Sequence, residues 1–110
     1  MKKMTLLLFL FFTVLSFSQT GEEQLFSEYR NAEKELKIVY KKLESKLKAS
    51  NQKELKEVQV AWEKYRDLNC KFISKENTEG GVISNKMKID CLIETTKERI
   101  AELEKVISDY

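Results

Sequence analysis

The stretch Leu55-Lys56-Glu57-Val58-Gln59-Val60-Ala61-Trp62-Glu63-Lys64-Tyr65-Arg66-Asp67-Leu68-Asn69-Cys70-Lys71-Phe72-Ile73 decides the fold. Leu55, Val58, Trp62, Tyr65, Asn69, Phe72 and Ile73 recur three or four positions apart, the spacing of one face of a helix, and no proline or glycine interrupts them. Just upstream, Ser50 and Asn51 break the pattern, and Asn51 with Glu54 has the form of a capping box, so the spacing predicts a helix start there. Downstream, Ser74 to Ser84 is polar, contains the pair Gly80-Gly81, and reads as a substantial loop.

Two further helices flank this one. Leu25, Tyr29, Ala32, Leu36, Val39, Tyr40, Leu43 and Leu47 lay an apolar stripe along a helix from about Glu22 to Ala49. Leu92, Thr96, Arg99, Leu103 and Val106 mark the inward face of another from about Asn85 to Ser108, with Ser84 as its N-cap. The expected fold is all-α, a small antiparallel bundle of about three helices. One alternative stays open: the joint at Ser50-Asn51 could be a kink in one long helix, giving an extended hairpin whose stripes would demand a second copy, a homodimer.

Before the bundle, Lys2 and Lys3 precede an apolar run from Met4 to Phe17, and Ser16 and Ser18 are small residues suited to a cleavage site. This is the layout of a signal peptide over residues 1–18, leaving a helical domain over 19–110. The apolar run is short against the roughly 20 residues needed to cross a bilayer, so no stable membrane anchor is expected after cleavage. Export to a periplasm or the exterior follows. Removing Lys2 and Lys3 takes the formal charge of +2 to about zero, which leaves no basic field for nucleic acid. The two cysteines, Cys70 and Cys91, would meet an oxidising compartment and are expected to form one disulfide, the alternative being two buried thiols.

Chemistry is sparse. The chain has no histidine, so nothing assembles a nucleophile with a base, and two cysteines make an incomplete zinc set. No enzyme activity, cofactor or metal is expected. On a helical wheel Arg66 falls within about 40° of Trp62, and Arg99 within about 40° of both Leu92 and Leu103, which flank it in sequence, so both guanidiniums lie on apolar stripes. Each must find acceptors or an aromatic face; Trp62 offers the face, and Asp67, Asp90, Glu94, Glu28 and Glu33 are candidate carboxylates. The loop residues Lys75, Glu76, Asn77, Glu79, Gly80 and Gly81 are the candidate partner-binding segment, with a plain connector as the alternative.

The segment Val60-Ala61-Trp62-Glu63-Lys64-Tyr65-Arg66-Asp67-Leu68-Asn69-Cys70, the Gly80-Gly81 pair, and Cys91 followed by Thr95 or Thr96, Arg99 and Leu103 together resemble the lysozyme-inhibitor LprI N-terminal domain family. Ala32, Leu36 and Tyr40 look like its first helix. The resemblance implies an exported helical domain with Cys70 bonded to Cys91, and Trp62, Tyr65, Arg66, Asp67 and Arg99 as a structural signature cluster. It further implies binding and inhibition of lysozyme. The competing function is an envelope scaffold or self-associating protein that pairs with its own copy or another exported chain.

Overall fold

The computed structural model describes residues 21–76 and 80–110, which form three helices: α1 Gly21–Glu44, α2 Ala49–Glu76 and α3 Gly81–Ser108. The chain runs up, down and up, so α1 and α3 are parallel and α2 is antiparallel to both. Asn85 near the start of α3 donates to Glu22 near the start of α1 (3.1 Å), while Arg66 in the middle of α2 meets the middle of each. None of the described helices is long and apolar enough to cross a membrane. The expected signal peptide, residues 1–18, and loop residues Asn77 and Glu79 lie outside the described residues.

Helix α1 forms as its stripe predicts. Ala32, Leu36, Val39 and Leu43 are buried, Glu22 and Glu23 occupy its first turn and Lys41 and Lys42 its last, each sign complementing the helix dipole. It ends five residues short of the expected Ala49. The Lys46 and Leu47 amides bond back to the Leu43 and Glu44 carbonyls (2.9 and 3.1 Å), and the Gln52 side chain donates to the Glu44 carbonyl (2.8 Å). A side chain from α2 thus adds a second bond to a carbonyl at the C-terminus of α1. The capping box at Asn51 does not form, because α2 already begins at Ala49 and the Gln52 amide bonds to the Lys48 carbonyl (2.9 Å). The joint is a reversal, not a kink, which rules out the extended hairpin.

The largest departure is the rotation of α2. Its buried residues are Leu55, Gln59, Arg66, Cys70 and Ser74, with Trp62 packed on the core. The expected inward residues Val58, Tyr65 and Phe72 are exposed instead (53, 62 and 61 %). The physical reason is that Cys70 must meet Cys91 and Arg66 must reach acceptors on both other helices, and these two share a face with Gln59 and not with Tyr65. The apolar spacing alone carried no such information. Val106, expected inward on α3, is likewise exposed, while Ile89, Ile93 and Ile100 are buried.

The core therefore has two ends. Near the α1–α2 turn, Leu36, Val39, Leu43, Leu55, Ile100 and Leu103 form one apolar cluster, with Tyr40, Leu47, Trp62 and Ile107 packed against it. At the other end the Cys70–Cys91 disulfide joins α2 to α3 across a Cα–Cα distance of 5.5 Å, and Cys70 is completely buried. Beyond it α2 and α3 continue further than expected, absorbing Ser74 to Glu76 and Gly81 to Ser84. Gly80 and Gly81 have φ of 99° and 79°, a left-handed backbone that glycine adopts without strain at the entry to α3. Ser84 is not the N-cap; its hydroxyl donates to the Ser74 carbonyl (3.4 Å), tying the two helix ends together.

The disulfide closes a loop of 21 residues. Its removal by Cys70→Ala with Cys91→Ala is expected to cost about 3 kcal/mol, read as a lower urea midpoint with secondary structure retained at zero denaturant. Equal midpoints for the two proteins would show that α2 and α3 are held by packing alone.

Candidate functional site

Arg66 is the most buried charged residue described, at 5 % exposure. Its stem runs up from α2 between α1 and α3. Its Nη1 donates to Glu33 Oε1 on α1 and to Thr96 Oγ1 on α3 (3.2 Å), and its Nε donates to Asp67 Oδ1 (3.0 Å). The guanidinium lies over the Trp62 ring, 4.9 Å from its centroid, and 5.9 Å from that of Tyr29. Of the five candidate carboxylates, Glu33 and Asp67 are the partners; Glu28, Asp90 and Glu94 are elsewhere.

Arg99 approaches the same indole, 5.9 Å from the centroid. Its Nε donates to Gln59 Oε1 (3.1 Å) and its Nη1 to Glu102 Oε2 (3.0 Å). The structure brings Trp62, Arg66, Asp67 and Arg99 together, and Tyr65 does not join them. Sequence reasoning missed Gln59, Tyr29 and Glu102. Gln59 was findable, because it lies one turn before Trp62 and two turns before Arg66 on the same face. Tyr29 falls on the apolar stripe of α1, yet its hydroxyl donates to Glu33 Oε1 (3.0 Å).

These contacts shift two titrations. Burial acts to lower the Arg66 pKa, but Glu33, Tyr29 and Asp67 more than offset it and the net direction is upward, so the guanidinium stays charged. Burial pushes the Tyr29 phenol up to about 12, aided by Glu33 and opposed by Arg66. Every buried side-chain nitrogen and oxygen among the described residues has a partner. The cluster is a satisfied structural network, with no free acid, base or nucleophile turned toward a cleft.

Shallow clefts lie beside this cluster on the described surface. One of about 370 Å³ lies between α1 and α2 and is lined by Leu36, Tyr40, Lys56, Gln59 and Glu63. Another of about 330 Å³ lies between α2 and α3 beside the disulfide. Among the described residues no group of three or more acids or cysteines could hold a metal ion. Of the expected loop residues, Lys75 and Glu76 belong to the last turn of α2, and Gly80 and Gly81 stand at the start of α3.

Arg66→Ala should destabilise by about 3 kcal/mol, because it strands Glu33 and Thr96 and opens space over Trp62; Glu33 is partly exposed, which keeps the loss below that of a fully buried pair. Arg66→Lys should recover only part of this, since one ammonium cannot serve acceptors on α1, α2 and α3 together. Urea midpoints of the three proteins check both. A second expectation concerns alkali. The Tyr29 pKa is raised on folding, so the unfolded chain loses that proton first, near 10, and stability falls from there up to about 12. Tyr29→Phe should remove this part of the decline, seen as a shallower loss of melting temperature over that window than in the wild type.

No curated protein and no solved structure matches the chain. The family model described as lysozyme inhibitor LprI matches residues 18–103, which takes in α1, α2 and nearly all of α3. Over that span lie both cysteines, the arginine cluster and the glycine pair, and the chain belongs to the lysozyme inhibitor LprI family.

Proposed function

We propose that this chain is an exported, non-enzymatic binding protein that inhibits lysozyme, with residues 1–18 removed as a signal peptide and residues 19–110 forming the inhibitory domain. The observation that carries this reading is the family match over residues 18–103. The physical character of the bundle supports it. A protein that blocks an enzyme gains affinity when its contact surface is already rigid, and here a disulfide and a three-helix ion-pair network hold the fold. The absence of histidine, and of an unpartnered buried acid among the described residues, fits a binder better than a hydrolase.

The end of the bundle where α2 gives way to α3 is the part suited to enter a substrate cleft. Lys75, Glu76, Gly80 and Gly81 project there beyond the disulfide, and Glu76 is an exposed negative charge for a basic enzyme surface. Asn77 and Glu79 belong to the same segment of sequence.

The direct test is lysis of a cell-wall suspension by lysozyme with and without the purified chain. A saturable, stoichiometric loss of lytic rate is expected, weakened when the protein is reduced beforehand. Full lytic rate and no measurable binding at a large molar excess of the protein would overturn the reading.

A further inference from the structure

The rotation of α2 leaves it with a second apolar row that no part of the described chain covers. Val58, Tyr65, Leu68 and Phe72 are all more than half exposed and, with the exposed Ala61 between them, recur with alternating spacings of three and four. On the wheel they span an arc of about 80°, on the side of α2 that faces away from α1. Scattered exposed leucines need no explanation, but a contiguous row of large side chains marks a contact surface.

Beside that row is the α2–α3 cleft. Asn69 and Ile73 line it from α2; Met87, Asp90, Glu94 and Glu98 line it from α3. The three carboxylates follow one another at single-turn intervals, and none is in an ion pair among the described residues, in contrast to Glu33, Asp67 and Glu102. They do not converge on a point that could hold a metal ion. An extended acidic row parallel to an apolar row matches an extended partner surface, not a small ligand.

We propose that this face of α2 and α3 is a second contact surface for lysozyme, flanking the bundle end that enters the cleft, and that it takes a cationic protein surface carrying an apolar patch: Val58, Tyr65, Leu68 and Phe72 supply the apolar contact and Asp90, Glu94 and Glu98 the complementary charge. The proposal rests on the inhibitory reading given above. Charge complementarity selects this occupant. The apolar row extends over only about two heptads, short of the three to four that sustain a helix-to-helix seam, which argues against a second copy as the occupant.

The experiment measures binding of a cationic lysozyme to the purified chain by calorimetry, alongside the solution mass of the chain alone. Two variants are compared with wild type, D90K/E94K/E98K and L68S/F72S, each first shown to melt as the wild type does. Both are expected to bind at least about ten-fold more weakly, with wild-type affinity falling as salt rises and the charge variant's affinity much less sensitive. A wild-type chain that binds while both variants bind equally well would overturn this surface and leave the inhibitory reading standing. A wild-type chain that does not bind would overturn both. A dimeric wild-type mass reduced to monomer by L68S/F72S would assign the apolar row to self-association and overturn the proposal as well.

Discussion

A guanidinium placed where three helices meet constrains everything around it. Arg66 has three donated bonds, one to each helix, and two aromatic ring centroids 4.9 and 5.9 Å from its guanidinium. Because burying an unpaired charge costs several kcal/mol, a structure in which any one helix slid by a turn would leave a donor without its acceptor. The apolar contacts of the core are far less particular: leucine against isoleucine is nearly as favourable one turn away. Arg66 thus contributes register more than net stability. The disulfide acts on the same two helices from one end, with Cys70 one turn beyond Arg66 and on the same side of α2.

This constraint explains why the helical periods were legible and the orientation of α2 was not. The stripes of α1 and α3 contain leucine, isoleucine and valine in a single arc, and Ala32, Leu36, Val39, Leu43, Leu92, Thr96 and Leu103 are buried where the spacing put them. Helix α2 offers two arcs. One holds Val58, Tyr65, Leu68 and Phe72; the other holds Leu55, Gln59, Trp62, Arg66 and Cys70. Hydropathy favours the first, and the fold uses the second, since a buried arginine and a disulfide outweigh the burial of a few side chains when both must be satisfied at once. The signal that settled it, Arg66 beside Trp62 and in phase with Cys70, was present in the sequence. Read as a local pairing, Arg66 beside Trp62 does not say which way the helix faces; in phase with Cys70, it does.

The helix ends show the same limit at smaller scale. Capping patterns at Asn51 and Ser84 were sound as local chemistry, yet each was pre-empted by a tertiary bond: the Gln52 side chain on the Glu44 carbonyl, and the Ser84 hydroxyl on the Ser74 carbonyl. Both serve backbone carbonyls on a neighbouring helix, which a reading of one helix at a time does not contain. The site residues divide likewise. Arg66, Trp62 and Arg99 were visible because a charge on an apolar stripe is anomalous, and Gln59 stands out once they fix the inward face of α2, whereas Tyr29 looks like ordinary apolar stripe in its own helix.

The cost of facing α2 by its polar arc is that an apolar arc is left outside. A chain that only had to fold could relieve this by replacing Phe72 or Leu68 with a charged residue, at no loss to the core, because neither side chain takes part in it. Large exposed apolar groups also raise the tendency to aggregate. Their presence in a row, next to carboxylates that neutralise nothing in the described fold, is therefore better accounted for by a partner than by stability. The inward arc of α2 holds the bundle in one register, and the outward arc is what that register presents to the surroundings.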